Sequence, residues 1–467
     1  MYLYELPTTG ALSFSDFCVD QSSNKAYTYR IPEATQARAN LRGVLKESKR
    51  TDHGEQDYLS VVKLIEEYLP HLRSIMNCVA HDEIGLKTEP IFSWRTTLSA
   101  NIFHSSPRLS LPGLHADYAF TLLTYAFALS NLAHSMVTSL GTYEHDRAIS
   151  DTDRNSKDEQ LKVAIGFICK ASGIFSHISD TVLPEWEVNR AGGPPGFNKP
   201  PDLSREVIYA LAKMSLADAQ TLAIRKLLSK SAYDSNIAPG PPLPKSHPSP
   251  ALISKLHLEC VSLYSSARTL AKTPGSAKAL TSESSGEVSA ELRKYLSEET
   301  AFHSALAHKW LGVEAGERGG SSKGGEAVSF VAWSKKELED MKDGGLARSV
   351  TIGKGEKVKK NRRKETIANE LINVGVFLKH YKKMNDSVYF QPVPSQMDLQ
   401  ARIPVGQLAI AAKPFDPPVP IFGPGSVDYL RRQASELNIS DNTGGDITSA
   451  ANASSPASNY AGAGAYF

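Results

Sequence analysis

The stretch Gln160-Leu-Lys-Val-Ala-Ile-Gly-Phe-Ile-Cys-Lys-Ala-Ser-Gly-Ile-Phe-Ser-His-Ile178 decides the fold class. Leu161, Ala164, Ile165, Ile168, Phe175 and Ile178 recur three to four positions apart. That spacing is one face of an α-helix, not the two-residue alternation of a strand. The same period fills the neighbouring segments. Residues 58–77 carry Leu59, Val62, Ile65, Leu69, Leu72 and Met76, with Pro70 expected to kink or divide the helix. Residues 204–229 carry Val207, Ile208, Leu211, Met214, Ala217, Leu222 and Leu228, with Asp202 or Ser204 placed to cap the start. Segments 289–311, 327–341 and 364–383 continue the pattern, and strand alternation is scarce. A mainly α fold is predicted.

The breaks at 192–196, 239–244, 316–325 and 344–355 are rich in Gly and Pro. Helical pattern resumes soon after each, so they read as connecting loops, and paired helices joined this way suggest hairpins stacked as a solenoid. A clean fixed-period repeat of the tetratricopeptide type is not visible. From Ser435 to Phe467 the chain is mostly Ser, Gly, Ala and Asn, a composition that cannot bury a core. The expected division is a helical domain over 1–435 and a low-complexity, disordered tail over 436–467.

Of the 467 residues 41% are hydrophobic and 22% charged, with a net charge of +2. This is ordinary for a soluble globular protein and gives no global field toward nucleic acid. Cys18, Cys78, Cys169 and Cys260 are far apart, which argues against a zinc framework or a disulfide scaffold and for a reducing, cytosolic compartment. The start, Met1 to Pro7, lacks the basic and apolar regions of a secretory signal. Residues 118–143 contain no Asp, Glu, Lys or Arg and are long enough to span a bilayer. Thr121, Thr124, Ser130, Asn131, His134 and Ser135 interrupt the run, so a central helix buried among others is expected instead.

Chemistry-bearing motifs are poor. Gly320-Ser-Ser-Lys-Gly324 matches Gly-x-Ser-x-Gly by letter but follows no strand, so it is not read as a nucleophile elbow. Asp151, Asp153 and Asp158 lack the mid-loop Gly of a calcium loop and read as a polar loop favouring the next helix's N-terminus. No catalytic residue, metal or cofactor is expected. The basic run Arg348, Lys354, Lys357, Lys359, Lys360, Arg362, Arg363 and Lys364 contains no aromatics, which argues against stacking on bases. It reads as a solvated loop or as a contact for an anionic membrane surface.

Residues 249–264 form one more helix, opened by a Pro-rich turn. Leu252, Lys255 and Leu256 share its face. The leucine pair reads as core or as a docking surface for another protein's helix, and both readings stay open.

Several segments together resemble the BRO domain of the ALIX family. They are Phe92-Ser-Trp-Arg95, Asp117-Tyr-Ala-Phe-Thr-Leu-Leu123, the 160–178 stretch and Met214-Ser-Leu-Ala-Asp-Ala-Gln220. Gly324-Gly-Glu-Ala-Val328, Asn385-Asp-Ser-Val-Tyr389 and Pro392-Val-Pro394 follow in the family's order. Within the family the similarity is to fungal ambient-pH response regulators, through Leu6 to Asp16 and His247-Pro-Ser-Pro250. The resemblance implies a boomerang-shaped helical domain, tetratricopeptide-like in its core, acting as a non-enzymatic adaptor. Its implied partner is the C-terminal amphipathic helix of the Snf-type ESCRT-III subunit, bound at cortical or endosomal membranes in support of pH signalling. A pH-signalling receptor complex is a further implied partner. The family's two aliphatic groove residues fall on Leu252 and Leu256, with Lys255 between them. Its groove aromatic falls near Leu222 or Ala223, neither of which is aromatic, and Ile178 is a candidate for the groove floor. Tyr389 matches a family tyrosine and is read as structural.

Overall fold

The computed structural model describes residues 1–51, 56–99, 107–189, 200–235, 240–272, 288–344 and 354–443. It is mainly α, as the periodicity predicts. The long helices are α1 (Arg30–Arg50), α2 (Tyr58–Ala80), α3 (Leu114–Leu140), α4 (Asp151–His177), then short α5 (Leu183–Asn189), α6 (Arg205–Ser235) and α7 (Pro250–Leu270). They continue with α8 (Ala290–Arg318), α9 (Gly324–Gly344), α10 (Lys354–Met384), short α11 (Gln396–Gln400) and α12 (Val427–Thr443). Two antiparallel strand pairs lie near the N-terminus: β1 (Cys18–Asp20) with β2 (Ile84–Leu86), and β3 (Ile91–Arg95) with β4 (Arg108–Pro112). In the second pair Trp94 faces Leu109.

Each long helix packs on the next, α1 on α2, α2 on α3, α3 on α4, α4 on α6, and so through α7, α8, α9 and α10. Such an array buries apolar stripes on both flanks of its inner members. Helix α3 shows this most clearly, because most of its side chains are buried. Helices α4 and α6 contain windows long and apolar enough to cross a membrane, but most of those residues are buried inside the chain.

Local chemistry accounts for several boundaries. Asp57 caps α2 by accepting from the Ser60 amide at 3.0 Å, and Ser289 caps α8 by accepting from the Leu292 amide at 3.3 Å. Pro70 does not divide helix α2, which runs on from Tyr58 to Ala80, and Ser74 Oγ donates to the Pro70 carbonyl at 2.8 Å. The acids Asp151 and Asp153 are not a loop. They form the first turn of α4, capped by Ser150 at 3.0 Å from the Asp153 amide, where the helix dipole favours them. Asp202 does not cap α6. It is fully buried and accepts from the Thr97 amide at 2.8 Å and the Leu98 amide at 3.2 Å, tying the chain after β3 to the start of α6. Helix α12 continues past position 435 to Thr443, beyond the boundary that composition suggests, and residues 444–467 lie outside the described ones.

Between α11 and α12 the chain is an extended strap that recrosses the array in reverse order. Arg402 pairs with Glu326 of α9 at 3.0 Å. The Gln407 amide donates to the Lys255 carbonyl of α7 at 3.0 Å, and the Ala409 amide to Gln220 Oε1 of α6 at 2.9 Å. The Lys413 amide donates to the Cys169 carbonyl of α4 at 3.0 Å. Ile421 and Phe422 amides both donate to Ser74 Oγ of α2, at 2.8 and 3.1 Å. A strap without its own ladder must find partners elsewhere, and the helices supply them.

Candidate functional site

Helix α7 begins with Pro250 at its first turn, where a missing N–H costs nothing. Leu252, Lys255, Leu256 and Glu259 then lie on one side of it. Leu256 is only 2% exposed and belongs to the main core. This corrects the reading of Leu252 and Leu256 as an exposed pair: Leu256 sits at the edge of the face that packs inward with Ile253, Cys260 and Leu263. Leu252 and Lys255 are half-buried. Leu222 of α6 and Ile178, which opens a π-helical turn after α4, are buried as well, so neither is a surface contact.

The strap completes this face. Gly406 passes so close to α7 that a Cβ there would lie 2.6 Å from the Glu259 nitrogen. Gln407 is fixed to Lys255 as described, and its neighbours Val405, 87% exposed, and Leu408 point apolar side chains into solvent. Beside Lys255 and Glu259 the strap therefore adds exposed apolar surface. Helical periodicity could not find Val405 and Leu408, because the strap has no period. The available signal was an apolar run, Val405 to Ile410, containing a glycine and following no helix pattern.

Gln220 holds helix and strap together. Its Nε2 donates to the Leu256 carbonyl at 2.8 Å and to the Gln407 carbonyl at 3.2 Å, while its Oε1 accepts from Ala409. Two residues earlier, buried Asp218 accepts from Tyr264 OH at 2.6 Å and Tyr295 OH at 2.5 Å, joining α6 to α7 and α8. Burial raises its pKa.

Below this face His257 Nδ1 and His303 Nδ1 lie 2.8 Å apart, both rings buried. Thr221 Oγ1 donates to the Ala217 carbonyl at 2.9 Å and lies 3.0 Å from His303 Nε2. The chain of donors is then fixed: His257 Nδ1–H donates to His303 Nδ1, and His303 Nε2–H donates to Thr221. Both rings are neutral. Burial, then the charge of Arg363, pushes the His303 pKa down to about 3 from 6.5. Burial and His303 push His257 well below its usual value. Glu299, 4.0 Å from His303, is held by Arg363 at 3.0 Å. A histidine depressed in the fold binds fewer protons there than in the unfolded chain. Its contribution is therefore complete above 6.5 and is lost as pH falls from there toward about 3. Urea midpoints are expected to decline on acidification below 6.5, and less steeply in His303→Asn. Parallel declines would show that the pair is not what titrates.

Arg363 is spent on Glu299 and on the Phe302 ring, whose centroid is 4.3 Å from its guanidinium carbon. Arg362 is exposed, and the side chains of Lys357, Lys359 and Lys360 lie outside the described residues. Gly320 to Gly324 sits between helices α8 and α9, not after a strand. Among the described residues no group of three or more His, Cys, Asp or Glu is placed to hold a metal ion.

The BRO1-like domain pattern matches residues 17–432. The chain is 36% identical over 506 residues to the pH-response regulator protein palC of Cryptococcus neoformans var. neoformans serotype D (strain B-3501A), spanning 100% of this chain and 99% of that one. It is 25% identical to the palC protein of Yarrowia lipolytica (strain CLIB 122 / E 150), over 89% and 94% of the two chains. Its fold is similar to ALIX bound to the SIVmac239 PYKEVTEDL late domain, with TM-score 0.59 and 16% identity, covering 95% of this chain but only 55% of that one. It is also similar to the ALIX BRO1 domain in complex with CHMP4C, with TM-score 0.56 and 17% identity, covering 89% and 96%.

Proposed function

Because the chain belongs to the family of BRO1-like domains, we propose that it is a non-enzymatic adaptor of ambient-pH signalling. It binds the C-terminal amphipathic helix of an ESCRT-III subunit of the Snf type on the face built by α7 and the strap. A relative that matches along its full length is named a pH-response regulator, and the similar ALIX BRO1 domain forms a complex with CHMP4C. The observation that carries the reading is the Gln407 to Lys255 bond, which sets the strap segment with exposed Val405 and Leu408 on α7, three residues along from Leu252. An amphipathic helix laid there would bury its apolar stripe against those side chains, with Lys255 free to meet an acidic residue. Leu256, buried in the core, supports the face from beneath. Recruitment from the cytoplasm to cortical or endosomal membranes follows from such a partner, and receptor contacts of the pH pathway would use other surfaces. The adaptor domain occupies residues 1–435, and 436–467 add a low-complexity tail.

Burying one leucine contributes about 1.5–3 kcal/mol, so a few anchors less the cost of association give micromolar-class binding. Leu252→Asp and Leu408→Asp should each weaken binding of the subunit's C-terminal helical peptide at least ~10-fold in fluorescence anisotropy, with far-UV circular dichroism unchanged. Unaltered affinity in both would overturn the reading. Leu256→Asp does not serve here, because its carboxylate would enter the core and unfold the site.

A further inference from the structure

We propose that the turn after α10, residues 385–397, is a rigid tip that inserts into anionic lipid surface. This goes beyond the adaptor reading and uses a different part of the molecule. The helix passes into a π turn, Asn385–Tyr389, and Phe390 adopts a left-handed conformation with φ 53° and ψ 33°. That conformation is costly for a bulky aromatic and persists only where the surroundings impose it.

The surroundings do impose it. Asn385 is buried and clasps Gln391 from both sides, Nδ2 donating to the Gln391 carbonyl at 2.9 Å and Oδ1 accepting from its amide at 3.1 Å. The Phe390 amide donates to the Asn385 carbonyl at 2.7 Å. Behind the loop, Gly325 of α9 leaves no room for a Cβ against the Pro392 carbonyl, and Ser329 Oγ donates to the Pro394 carbonyl at 2.7 Å. Tyr389 turns inward, half-buried against Gly324.

What this clasp presents outward is apolar. Phe390 is 74% exposed and Met397 76%, and Val388 and Val393 are exposed as well. The last two turns of α10 carry Lys379, Lys382 and Lys383, all exposed. Nearby acids offset this only in part: Asp386 is exposed, Asp398 is engaged by Ser395, and Glu326 pairs with Arg402. Apolar side chains ahead of a cluster of lysines match the acyl boundary and the head groups of an anionic bilayer respectively. The basic run around Arg362 belongs to the other half of α10, a helix of 31 residues and so roughly 46 Å long.

The test is co-sedimentation of the full chain with vesicles of phosphatidylcholine, with and without phosphatidylserine. The expected result is salt-sensitive binding to the serine-containing vesicles only. Phe390→Asn keeps a residue that tolerates the left-handed conformation, so the melting temperature should hold while vesicle affinity falls about tenfold. Lys382→Glu with Lys383→Glu should abolish the salt-sensitive part. Absence of binding by the native chain, equal binding to neutral vesicles, or equal binding by Phe390→Asn would each overturn the proposal. Binding of the ESCRT-III helical peptide should persist in all these variants, which separates failure of the tip from failure of the adaptor reading.

Discussion

Asp117→Asn is expected to cost about 3–5 kcal/mol of folding stability, the usual range for removing one partner of a buried ion pair. Asp117 is fully buried, and four donors converge on its carboxylate. They are Arg38 Nε at 3.2 Å and Nη2 at 2.9 Å, Tyr68 OH at 2.6 Å and Trp94 Nε1 at 2.7 Å. An asparagine would turn an N–H toward donors and leave the Arg38 charge uncompensated. Arg38 would retain the Gly10 carbonyl at 2.9 Å and Thr9 Oγ1 at 2.6 Å, neither of which carries charge. Urea denaturation checks this, with Arg38→Met/Asp117→Leu as the companion variant. The double variant should be the more stable of the two, because it buries no lone charge. A loss under about 1 kcal/mol in Asp117→Asn would show that water reaches the pair.

Gln220→Leu should act on the strap. The substitution removes the partner of the Leu256 and Gln407 carbonyls and of the Ala409 amide. Each group left unpaired out of water costs about 1–3 kcal/mol, and the strap ends at Ser74 and Cys169 remain anchored. The effect should therefore be local opening around residues 405–409. Hydrogen exchange of the Gln407 and Ala409 amides should accelerate at least ~10-fold, and affinity for the helical peptide should fall with it. If both amides exchange as in the native chain, the strap is held by packing and not by Gln220.

Much of this was legible in the sequence, and for definite reasons. The helices were readable because apolar side chains at 161, 164, 165 and 168 can only share a face if the backbone coils. Trp94 and Asp117 stood out as parts of family segments, and the structure gives their cause: they meet in one buried network with Arg38. Met214 to Gln220 stood out likewise, because Asp218 and Gln220 both tie α6 to α7. Pro70 does not divide α2, because neighbours on both sides of the array hold the helix together against the local preference. Asp151 and Asp153 misled because charge suggests a loop, while a capped first turn wants the same charge. The exposure of Leu256 was beyond reach of periodicity. Positions 252 and 256 are equivalent by spacing and differ only in which of them the neighbouring helices cover. Val405 and Leu408 were invisible for the same reason, since a strap takes its conformation from what it crosses.

The reversed path of the strap also has a temporal consequence. The helices of the array meet neighbours in sequence, so they can assemble as the chain leaves the ribosome. The amides of Ile421 and Phe422 reach Ser74 across sequence separations of 347 and 348 residues. Those closures have very high contact order and must come last. A chain that stops near residue 400 would hold every array helix and no fastener. It should collapse to native-like helicity yet remain open to proteases, so that completion of synthesis, rather than formation of the helices, marks the moment the molecule becomes durable.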